Sequence, residues 1–136
     1  MNVDTLKQEL IIDEGKRSKP YTDTVGKTTI GVGRNLTDVG LSDDEIDMLL
    51  TNDVNKAFSH LVVALPWVLT LSETRQRALT NMAFNMGLGT LLGFTTTLSL
   101  IQAGKFEDAS HAMLNSKWAT QVGNRAKRIA LMIKEG

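Results

Sequence analysis

Only one stretch of this chain, residues 20 to 36, is written in the residues of a β-sheet: "PYTDTVGKTTIGVGRNL". Tyrosine, threonine, valine and isoleucine are interspersed there with glycine, and the turn signal "DTVGK" divides the run, so two or three short antiparallel strands are predicted. The rest of the chain is patterned for helices. Strands confined to one place among helical runs point to an α+β fold: a small sheet in an N-terminal part and a helical C-terminal lobe.

The helical pattern starts with Val3, Leu6 and Leu10, with Asn2 or Asp4 as the cap and Gly15 just beyond the end, which predicts a helix over 3–14. After the sheet, Ser42 followed by Glu45 forms a capping box. It opens a helix of about twenty residues, with Ile46, Leu49, Leu50, Val54, Phe58, Leu61 and Val62 on one face. Pro66 ends it. Ser72 caps the next helix, where Ala78, Leu79, Met82, Ala83 and Met86 mark a buried face. "GLGTLLG" breaks the chain, a helix follows from Thr95 or Thr96 to about Ala103, and "KFEDASHAMLNS" and "NRAKRIALMIK" supply two more.

The chain has 136 residues, a size that suits one domain. Cysteine is absent, which excludes disulfides, thiolate metal sites and cysteine nucleophiles. The two histidines, His60 and His111, lack ligand-like spacing, so neither a metal nor another cofactor is expected. The net charge is zero, yet residues 1–60 hold 11 acidic and 7 basic side chains against 4 and 8 in the remainder. The basic cluster Arg125, Lys127 and Arg128 fits a solvated helix face better than a nucleic-acid site, because no aromatic side chains or nucleic-acid motif accompany it. The first residues carry no export signal, and no stretch approaches the roughly 18 apolar residues of a membrane span. A protein made in a cytoplasm, without stable membrane association, is expected.

Glu14 closes the first helix, where the macrodipole disfavours a carboxylate by about 1 kcal/mol or less. A general acid needs a carboxyl that is still protonated near neutral pH, so a place that is mildly costly for stability is useful for catalysis. Position alone fits a surface or ion-paired glutamate better, because a helix-end charge effect is small and easily screened. Asp23 lies in the following turn region, where a hairpin can bring it opposite Glu14; two carboxyls across a cleft suit glycoside hydrolysis, although an aspartate in a turn also serves by accepting backbone N–H bonds. Thr29 can aim a hydroxyl at a water, or be an ordinary strand threonine. Competing motifs fail: "GKT" lacks the first glycine of a phosphate loop, "GVG" lacks the third glycine of a dinucleotide fingerprint, and no serine elbow is present.

Glu14, eight residues, Asp23, five residues and Thr29, with "DEG", "YTDT" and "TIGVG" around them, resemble the phage-type lysozymes of glycoside hydrolase family 24, close to the T-even phage branch. "LTNMAFNMG", "GFTTTLSLIQAGKFEDASHAMLNSKW" and "NRAKR" follow in the order of that family's C-terminal lobe. The resemblance implies a single lysozyme-like domain over 1–136, with an N-terminal lobe of about 15–60 and a C-terminal lobe of about 61–136 plus helix 3–14. It also implies an endolysin that cleaves the β-1,4 bond between N-acetylmuramic acid and N-acetylglucosamine in peptidoglycan with inversion. Glu14 would protonate the leaving oxygen, and Asp23 and Thr29 would hold and activate the water.

The same resemblance carries supporting residues. Arg125 would approach Glu14 from the C-terminal lobe, Asn85 would line the cleft, and Phe94 with Met82 would lie beside cleft and core. Arg34 stands where the T-even branch has histidine, and Asp53 occupies the place of that histidine's partner, so an Arg34–Asp53 ion pair is expected. A monomer is implied, acting on glycan strands after a separate holin releases it from the host bacterial cytoplasm to the periplasmic peptidoglycan.

Overall fold

A computed structural model describes residues 1–136 and divides them into two compact units, Met1–Met48 and Leu49–Gly136. The division falls inside a helix. It groups the first helix with the sheet, whereas the lobe boundaries expected from sequence place residues 3–14 with the C-terminal part.

In the first unit, α1 spans Val3–Glu14. Asn2 is its cap: the side-chain oxygen accepts the Thr5 N–H at 2.9 Å, satisfying one of the donors a helix leaves bare at its start. The Gly15 N–H makes the last helical bond, to the Ile11 carbonyl at 2.9 Å, and its φ of +80° turns the chain out of the helix after Glu14. Three strands follow, β1 (Arg17–Thr22), β2 (Thr28–Gly31) and β3 (Arg34–Asn35), antiparallel in the order β1-β2-β3. Tyr21 pairs with Thr29 and Thr22 with Thr28; Thr29 in turn pairs with Asn35, and the register slips between Arg17 and Tyr21. Thr29 is thus the middle residue of a three-strand row, and at 3% exposure it is buried.

The next helix, α2 (Asp43–Ala64), opens on the capping box expected from Ser42 and Glu45: the Glu45 N–H donates to Ser42 Oγ at 3.2 Å, and the Ser42 N–H donates to Glu45 Oε1 at 2.9 Å. Its apolar face is less buried than its periodicity predicts. Ile46, Leu49, Leu50 and Val54 stay exposed, and Leu61 alone is fully buried.

The second unit holds the core. After a 3₁₀ turn at Pro66–Thr70 come α3 (Glu73–Met86), α4 (Leu88–Leu92), α5 (Thr95–Gln102), α6 (Phe106–Leu114), α7 (Lys117–Val122) and α8 (Asn124–Glu135). Ser72 caps α3 by accepting the Arg75 N–H at 3.2 Å, as its sequence predicts. Leu79 and Met82 of α3 meet Leu91, Ile101, Met113, Ile129 and Ile133 in one cluster. On α8 the buried residues Ala126, Ile129, Ala130 and Ile133 fall at i, i+3, i+4 and i+7, the single stripe of a helix laid on a core. Arg75 ties three helices together: its Nε donates to the Ile133 carbonyl at 2.7 Å while its guanidinium lies 3.4 Å from the centre of the Phe106 ring. None of the helices is long and apolar enough to cross a membrane.

Candidate active site

The three residues proposed for chemistry all belong to the first unit, and each is set by local structure. Glu14 is the last residue of α1 and exposed, and its carboxyl oxygen lies 3.4 Å from where a Cβ on Gly33 would stand. Within this unit no hydrogen-bond donor reaches that carboxyl group.

Asp23 follows β1 and builds the turn into β2. Its Oδ1 accepts the N–H groups of Val25 at 2.9 Å and Lys27 at 2.8 Å, and its own N–H donates to the Lys27 carbonyl at 2.9 Å. Turn-forming and chemical roles are thus compatible, because the backbone uses one carboxyl oxygen and leaves Oδ2 free of those bonds. Thr29 donates its hydroxyl to the Lys27 carbonyl at 3.1 Å. With its proton given away, Oγ1 can only accept further bonds, so a water beside it would be held by one of the water's own hydrogens.

Arg34 corrects one expectation. Its Nη1 donates to Glu45 Oε1 at 2.6 Å and to the Gly40 carbonyl at 3.2 Å, so its ion-pair partner is Glu45 and not Asp53. The cause is the capping box, which fixes the Glu45 carboxylate at the start of α2; Asp53 lies two turns further along, about 12 Å at 1.5 Å per residue. The hydrogen bond from Arg34, reinforced by Ser42, holds the Glu45 carboxyl down at about 2. Both side chains are more than a third exposed, at 38% and 39%, so solvent screens the pair. Asp53 instead lies beside Lys56 and His60 on the rim of a shallow depression in the second unit.

Arg125, Asn85 and Phe94 are engaged within the second unit. Arg125 donates from Nε and Nη2 to Asn81 Oδ1 at 3.0 and 2.8 Å. Asn85, one turn on from Asn81, accepts the Trp118 Nε1–H at 2.9 Å, and Trp118 meets the Phe94 ring edge-on at 6.4 Å between centres. Asn81 was missed from sequence, although "NMAFN" places two asparagines on one helix face, where each can orient a side chain from another helix. Arg125 and Asn81 border a groove of about 510 Å³ between α2 and α3, floored by Val54, Phe58 and Phe84. No set of three or more histidine or acidic side chains is gathered to hold a metal ion.

Comparison with known proteins gives the family. A phage lysozyme family model matches residues 12–132, a span that contains Glu14, Asp23, Thr29 and every helix of the second unit except the last three residues of α8. "Probable T4-type lysozyme 1" of Dictyostelium discoideum is 28% identical, over 98% of this chain and 96% of its own. The "Pre-baseplate central spike protein Gp5" of Enterobacteria phage T4 is 31% identical over 91% of this chain, which corresponds to 26% of that larger protein. With nearly the whole chain matched and an α+β fold to go with it, the protein belongs to the phage lysozyme family and is a lysozyme-type hydrolase.

Proposed function

We propose that the protein hydrolyses the β-1,4 bond between N-acetylmuramic acid and N-acetylglucosamine in bacterial peptidoglycan by a single displacement with inversion. The observation that carries the proposal is the placement of Glu14, Asp23 and Thr29 around one three-stranded sheet inside the matched span. Glu14 donates its proton to the leaving oxygen. Asp23, through Oδ2, takes a proton from a water on the opposite face of the sugar, and Thr29 Oγ1 accepts that water's second hydrogen and fixes its direction. Inversion needs room for that water, which sets the two carboxyl groups roughly 6.5–9.5 Å apart in the working enzyme. In this reading the chain works as one two-lobed domain that grips the glycan strand, with Arg125, Asn85 and Phe94 as supporting residues.

The biological setting is part of the same proposal: a monomeric endolysin made in the host cytoplasm, released by a separate holin, lysing the cell to free phage. The similarity to a spike protein favours a second setting, a lysozyme domain carried on a phage particle. Detection of the chain in purified virions would select that one.

Glu14→Gln tests the chemistry, because glutamine keeps the shape and cannot donate the proton. Clearing of permeabilised Gram-negative cells is expected to fall by about 10²-fold or more with thermal unfolding unchanged. Clearing at the wild-type rate would reject Glu14 as the acid.

A further inference from the structure

The proposed reaction uses no glycine, yet one of the two in "TIGVGRN" stands against the acid. Gly31 and Gly33 share a left-handed backbone, with φ of +67° and +70°. Any residue with a Cβ is strained at either position, to a similar degree. What a side chain would meet differs. At Gly31 nothing lies within 4 Å of an added Cβ, whereas at Gly33 it would stand 3.4 Å from Glu14 Oε2, 3.6 Å from the carboxyl carbon and 3.7 Å from Cγ.

These are contact distances rather than clashes, so a methyl group at Gly33 would fit. It would then occupy one side of Oε2. A general acid has to come within about 2.6–3.2 Å of the oxygen it protonates, and a methyl group packed on the carboxyl narrows the directions from which that oxygen can arrive. The demand for positive φ alone explains Gly31; at Gly33 it accounts for the backbone and leaves the nearness to Glu14 as a separate fact.

We propose that Gly33 is a positioning residue for the acid: its bare Cα leaves empty the space beside Oε2 of Glu14 that a side chain would fill, and so keeps that oxygen open to the glycosidic oxygen. This inference rests on the reading of Glu14 as the general acid. It acts on proton delivery, so its loss belongs in kcat and not in the binding of the glycan strand.

Gly31 provides the matched control. Gly33→Ala and Gly31→Ala should lose similar amounts of thermal stability, because both force alanine into the same backbone region. Steady-state hydrolysis of soluble glycan strands should show kcat at least about 10-fold lower for Gly33→Ala than for Gly31→Ala, with KM within about 3-fold for both. Equal kcat values, or a defect confined to KM, would overturn the proposal. If Gly33→Ala does not fold, Gly33→Asn against Gly31→Asn decides by the same comparison, since asparagine tolerates left-handed backbone best among residues with a Cβ. Glu14→Gln measured alongside separates the two ideas. Activity in that variant rejects the acid itself; an inactive Glu14→Gln with Gly33→Ala matching Gly31→Ala rejects only the role of Gly33.

Discussion

In the proposed mechanism Thr29 acts through a single hydroxyl group. It is buried, it sits in the middle of the sheet row, and its proton is already donated to the Lys27 carbonyl. Replacement by valine keeps the shape and the β-branch while removing both the donor and the acceptor. Thr29→Val is expected to lower kcat by roughly 10-fold or more, and to lower unfolding free energy by about 1 kcal/mol, as for one lost hydrogen bond. Thr29→Ser should keep most of the activity, and rates of clearing with urea unfolding would check both. An active Thr29→Val would remove the hydroxyl from the mechanism. At this scale the spacing of Glu14, Asp23 and Thr29 was readable in the chain, because all three lie within sixteen residues on local elements whose ends are set by caps and turns. The nearness of Gly33 to Glu14 was not. It depends on how the β2–β3 connection folds back on the end of α1, and no local pattern encodes that distance.

Elements show the same division between local and distant causes. Caps at Asn2, Ser42 and Ser72 were legible because a side chain and its N–H partner are three residues apart. Helices α4 and α7 were not, since five or six residues between glycines or turns are too short to show a period. The Arg34 partner failed for a different reason: family register pointed to Asp53, whereas Glu45 was already held beside β3 by its own capping box. That link predicts a pH response. The Glu45 carboxyl is lowered on folding, so its contribution is complete above the ordinary carboxylate value of 4.5 and is lost as pH falls through about 2. Protection of the Ser42 and Glu45 amides, relative to their intrinsic exchange rates, should therefore fall as pH drops between those limits, and Glu45→Gln should remove the dependence. Unchanged protection of these two amides down to pH 2 would contradict the pair.

For the molecule as a whole, sequence specified more of the second unit than of the helix leading into it. Each of α3, α5, α6 and α8 sets its stripe of apolar side chains into one core, and that periodicity survives without knowledge of neighbours. The exposed Ile46, Leu49, Leu50 and Val54 of α2 show the limit of the method, because an apolar face in sequence says that burial is favourable and not what does the burying. The central claim joins the family to three residues: one displacement by a water that Asp23 and Thr29 direct while Glu14 protonates the leaving sugar. The anomer formed first at the new muramic acid reducing end tests it most directly, read by proton NMR before mutarotation. A β-linked glycan cleaved in one inverting step gives the α-anomer first. A β-anomer, or an anhydro end in place of a hydrated one, would contradict the account.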